Sequence, residues 1–196
     1  MNSHSNSTEK LDRIRKYISE LHSRKEQNSV TPDLSEQREI LKLIHDLAEA
    51  RDVAARDYFL IELTSGAPDT EVRIALVNAL GFHWTDFKEP APIFVAILAN
   101  KCEDESLRGI CAAALGALTY ESAIPLLVDI VTGFIAADMY VRRSAVAALT
   151  GMANMPYANR KAIEESLEVP KQVWFEGVQD LPALSKALDN WFQRMG

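Results

Sequence analysis

The sequence predicts an all-α fold, a superhelical stack of about four to six helical hairpins. Three observations predict it. One pattern returns three times at near-constant spacing, prolines recur near the start of the apolar segments between its copies, and no segment reads as a strand.

The three copies begin at Asp69, Asp104 and Asp138 and end at Gly81, Gly116 and Thr150. Each has Asp first, Val or Leu three residues on, Arg four on, Ala ten on and Leu eleven on. The starts lie 35 and 34 residues apart (104 − 69 and 138 − 104). An Asp at the head of a helix accepts from the free N–H groups of the first turn, and its charge suits the positive end of the helix dipole. Val72, Leu76, Ala79 and Leu80 mark one helical face, as do Leu107, Cys111, Ala114 and Leu115, and Val141, Ala145, Ala148 and Leu149. The small alanines allow neighbouring helices to approach. Gly81 and Gly116 are placed to end their helices in the left-handed conformation.

The alternate helices of the hairpins fall at 89–99 and 121–131. Pro92 and Pro125 stand near their starts, where a missing N–H costs little. One hairpin cannot bury both of its apolar faces, so the units must stack into a continuous core.

The run Tyr120-Glu-Ser-Ala-Ile-Pro-Leu-Leu, followed by Asp138-Met-Tyr-Val-Arg-Arg-Ser-Ala, resembles the short bacterial HEAT-like repeat of the type found in phycobilin lyases. The resemblance covers about residues 52–153. It implies an α-α superhelix, a HEAT-like solenoid related to armadillo folds. The Trp and Tyr marks of tetratricopeptide repeats and the Thr-Pro-Leu-His of ankyrin repeats are missing.

The flanks are helical but less regular. Residues 8–27 place Leu11, Ile14, Ile18 and Leu21 on one face, and residues 35–50 place Ile40, Leu43, Ile44 and Leu47 on another. Residues 28–33 read as a turn, and 52–64 as the first helix of the first clear repeat. Residues 162–167 and 183–192 read as helices that cap the stack, with Trp174, Phe175, Trp191 and Phe192 covering its end. The expected organisation is one domain: an N-terminal helix and turn at 1–33, repeats over 34–158, and capping helices at 159–196.

Charge narrows the choice of partners. Residues 1–32 carry 6 bases and 4 acids, 33–71 carry 4 and 10, 72–158 carry 6 and 8, and 159–196 carry 5 and 6, which together make the net −7. Most of the negative charge sits on 33–71, a surface that repels phosphate backbones. Nucleic acid is therefore not the expected partner, and a basic protein is. The first residues have no apolar signal core and no stretch suits a membrane helix, so the expected home is cytoplasmic. Cys102 and Cys111 have neither disulfide-scaffold nor metal-site spacing, and both read as small buried hydrophobes.

No catalytic constellation stands out. His4, His22, His45 and His83 are scattered, and no phosphate loop or nucleophile elbow is present. No catalytic residue, metal or cofactor is expected. Candidate contact residues are the aromatic turn Phe82, His83, Trp84 and Phe87, the exposed helix positions Asn78 and Tyr140, and Arg143 outside the recurring pattern. Glu36, Glu39, Asp46 and Glu49 are the candidates on the acidic segment. The recurring pairs Asp69–Arg73, Asp104–Arg108 and Asp138–Arg142 read as a structural ladder that ties repeats together. On the concave face that the second helices of such a stack line, Ile74, Gly109, Ala113 and Ala147 make a shallow groove able to accept a helix or peptide.

The expected function is a non-enzymatic protein–protein interaction module: a scaffold, an adaptor or an immunity-type inhibitor. The alternative, implied by the repeat resemblance alone, is a phycobilin-lyase-like chromophore-handling subunit.

Overall fold

The computed structural model describes residues 3–26, 33–67, 69–132 and 137–152. The described residues are helical and contain no strand. The helices are α1 (Ser3–Glu26), α2 (Leu34–Glu49), α3 (Val53–Ser65), α4 (Thr70–Asn78), α5 (Ala91–Ala99), α6 (Glu105–Ala117), α7 (Ile124–Thr132) and α8 (Met139–Met152). A π-helical turn, Ala79–His83, extends α4. The chain forms two compact units, residues 1–93 and 94–196, and the divide falls inside α5. The turn expected at 28–33 and the capping helices with Trp174, Phe175, Trp191 and Phe192 lie outside the described residues, apart from Asp33.

Aspartates start five of these helices, α2, α3, α4, α6 and α8. Asp69 accepts from the Val72 N–H at 2.9 Å, Asp104 from Ser106 and Leu107 at 2.8 and 3.1 Å, and Asp138 from Val141 at 2.7 Å. Asp33 caps α2 and Asp52 caps α3 in the same way. Each carboxylate meets an N–H that has no partner inside its helix.

The arginines work inward. Arg108 is 3% exposed and its Nε donates to the Leu98 carbonyl at 3.1 Å. That carbonyl belongs to the last turn of α5, so Arg108 fastens the two helices of one hairpin by satisfying an open helix end. Arg142 is buried as well. Gln37 stands four residues past its cap Asp33, as Arg73, Arg108 and Arg142 stand past theirs. Its amide donates to both carboxylate oxygens of Asp69, at 3.3 and 3.2 Å, tying α2 to the head of α4.

Helix ends correct one expectation. Gly81 and Gly116 do not end helices in the left-handed conformation. Gly81 is buried within the π-helical turn, and Gly116 lies inside α6. Among the described residues, the left-handed ones are Gly66 (φ 78), Arg51 (φ 51) and Thr119 (φ 50). After Thr119, the Tyr120 N–H returns to the Leu115 carbonyl at 3.0 Å, and after Arg51 the Asp52 N–H returns to Leu47 at 3.1 Å. These are Schellman-type closures that carry a side chain where glycine is usual. Gly116 has a different duty: a Cβ there would lie 2.6 Å from the Ala148 Cα. It lets α8 press against α6.

Cys102 is likewise not buried. It sits exposed in the turn after α5, where its N–H bonds the Asn100 side chain, whereas Cys111 is buried in α6.

Candidate functional site

Within residues 1–93, α2 and α4 enclose a cavity of about 290 Å³. Leu41, Ile44, His45 and Ala48 line it from α2; Ala75 and Asn78 line it from α4; Ala79, Phe82 and His83 line it from the π-helical turn. Its wall is apolar or small, and the two imidazoles and one amide are its polar groups. Extended pockets of this composition accept apolar groups and orient them with a few hydrogen bonds.

The π-helical turn shapes one end. A π-helical turn inserts a residue into the helix, and such insertions recur at functional sites. Here it leaves Phe82 at the mouth, 41% exposed, and puts His83 against His45. The two rings meet edge to face, with centroids 5.5 Å apart and planes at 74°. His45 Nε2 also stands 3.3 Å from Glu49 Oε1, one helical turn away. Nothing in the spacing of the sequence pairs His45 with His83. The extra residue of the turn shifts the register by which such a pair would be found.

The aromatic turn divides between core and surface. Phe82 and half-buried His83 face the cavity. Trp84 is 3% exposed and packs edge-on against Phe59 at 6.3 Å, so it belongs to the core rather than to a contact surface. Phe87 lies under the Arg56 guanidinium, 4.2 Å from its ring centre, and Asp86 holds Arg51 at 2.6 Å. Both contacts reach back to the start of α3 and fix the turn in place.

The acidic segment is largely engaged within the fold. Asp33, Asp52 and Asp69 are helix caps. Glu39 pairs with Arg13 at 2.8 Å, and Asp46 with Lys10 and Lys42, both at 3.2 Å. Those two cations hold the Asp46 carboxyl below the usual carboxylate range. Glu49 meets His45, and Asp57 meets Arg56 at 2.8 Å. Glu62 reaches His22 at 3.6 Å and bonds Tyr58, whose hydroxyl is pushed up by burial and by that carboxylate. Glu36 and Glu71 occupy first helical turns, where a negative charge suits the dipole. All ten acids of 33–71 thus have a local role. Much of this charge caps or braces helices, while Glu36, Glu39 and Glu49 remain exposed.

In residues 94–196, Tyr140 is 49% exposed and Arg143 is exposed. The groove expected beside them does not include Gly109. That residue is buried, and a Cβ on it would collide with the Tyr140 ring. The small residue seats the tyrosine against α6 and leaves no hollow there. Ile74, Ala113 and Ala147 are half-buried.

Among the described residues, no helix is long and apolar enough to cross a membrane. Residues 58–150 match the family model for HEAT repeats. No curated protein and no solved structure matches the chain. Residues 58–150 thus carry a HEAT-repeat match on an all-α fold whose helices are consistent with a helical solenoid.

Proposed function

We propose that the chain is a non-enzymatic interaction module, a scaffold or adaptor, whose protein partner inserts an apolar side chain between α2 and α4. HEAT repeats generally mediate protein–protein interaction, and that general role is the background to the reading. The observation that carries it is the cavity lined by Leu41, Ala48, Ala75, Asn78 and Phe82, with Phe82 exposed at the mouth. A volume of about 290 Å³ is at the lower end of ligand pockets, which span roughly 300–1,000 Å³. It suits an anchoring side chain better than a large chromophore, so the chromophore-handling alternative gains no support from it.

Photo-crosslinking tests the reading. A crosslinking amino acid at Phe82 should capture one dominant protein, and the same group at Thr64, on the exposed side of α3, should not. Ala75→Trp, which fills the cavity, should abolish the adduct. Equal capture from both positions, or an adduct that survives Ala75→Trp, would refute it.

A further inference from the structure

We propose that His45 and His83 form a binding site for a divalent metal ion of borderline softness, in the zinc, copper and nickel class. The chain has four histidines, and two that stand far apart in sequence meet at the mouth of the cavity. Imidazole is the side chain such ions favour among neutral donors. Zinc–nitrogen bonds of about 2.0–2.1 Å place each ring centre about 3 Å from the ion, so two imidazoles at a tetrahedral angle stand about 5 Å apart. The observed ring separation is 5.5 Å. His45 is exposed and His83 is half-buried, so both rings have room to turn toward a shared ion.

Glu49 supplies the second feature. Histidines that ligate metals commonly donate their other ring N–H to a carboxylate, which fixes the tautomer and raises ligand basicity. His45 Nε2 stands 3.3 Å from Glu49 Oε1, the arrangement in which Nδ1 of the neutral ring would be the metal donor. Among the described residues, no group of three His, Cys, Asp or Glu side chains is arranged to hold a metal. The proposed site therefore has two protein ligands, the imidazoles of His45 and His83. Water, or a donor entering the cavity beside Asn78, fills the remaining positions. Such a site is open rather than structural.

The inference does not rest on the docking reading, since a metal titration needs no partner. Tag-free full-length chain is titrated with Cu²⁺ and Co²⁺, with binding followed by calorimetry and by the nitrogen hyperfine splitting of the copper spectrum. The expected result is one ion per chain with two-nitrogen ligation. His45→Ala and His83→Ala should each weaken binding by about tenfold or more, and Glu49→Gln should weaken it through the paired nitrogen. His4→Ala and His22→Ala should leave it unchanged. Thermal unfolding of each variant separates lost ligation from lost fold. Binding that persists in the His45→Ala/His83→Ala double variant, binding removed by His22→Ala, or no uptake at millimolar metal would each overturn the proposal.

Discussion

The α6–α8 pair and the α2–α4 pair are built on the same repeat register and end in opposite states. In α6 and α8 the helices touch. Gly116, twelve residues past its cap Asp104, lies against Ala148, and Gly109, five past the cap, lies beneath Tyr140. In α2 the same two places, five and twelve past Asp33, are taken by Arg38 and His45. Those side chains cannot fit where the glycines let helices meet. The gap that results is the 290 Å³ cavity, with His45 on its wall. Of the two, His45 lines the cavity where its counterpart Gly116 meets Ala148. The caps and the apolar faces are common to both pairs.

The comparison can be broken first at its tightest contact. Gly116→Val should cost about 1–3 kcal/mol through overpacking, since the obstacle is the Ala148 backbone rather than the end of a flexible chain. Urea unfolding should show a lower midpoint at unchanged slope, and a neutral outcome would mean that α6 and α8 have room to spare. Next comes Asp69, which both caps α4 and receives Gln37. Asp69→Ala should cost about 1–2 kcal/mol, where Gln37→Ala, which keeps the cap, should cost less. Thr119→Gly should act in the opposite direction. A β-branched residue at φ 50 is strained, and glycine there should stabilise by about 1 kcal/mol, read from the same unfolding curves.

The smallest effects concern charge and the open pair itself. The lowered folded-state value of Asp46 means its stabilising contribution is present above the ordinary carboxylate pKa of about 4 and is lost as pH falls through the folded value. Asp46→Asn should flatten that acid limb of the stability curve by lowering stability slightly at neutral pH, while stability at acid pH, where the parent carboxyl is protonated, stays unchanged. His45→Ala should change stability by about 0.5 kcal/mol or less, as for most exposed positions, while a crystal structure of the variant should show α2 drawn toward α4.

Much of the fold was legible because its signals are local. Capping needs only Asp at the right distance from an apolar face, so Asp69, Asp104 and Asp138 announced their helices. The recurrence of Arg108 beside them suggested a tie between repeats, whereas its bond to the Leu98 carbonyl lies within one hairpin. Legibility failed where a residue's duty depends on a neighbour far away in sequence. Gly116 reads as a helix end from its own surroundings and as a contact only once Ala148 is opposite. Trp84 looks like surface in an aromatic turn until Phe59 is seen beside it. The ion pairs of Asp46 and Glu39 were not legible because their partners Lys10 and Arg13 lie on another helix. His45 and His83 are joined by a π-helical turn, whose extra residue leaves no periodic trace.

The most direct test of the account fills the hollow that sets α2–α4 apart. Ala75→Trp should abolish binding of the protein captured from position 82 while the unfolding midpoint stays near that of the parent chain. Undiminished binding by a stably folded Ala75→Trp chain would contradict the account and move the docking surface elsewhere.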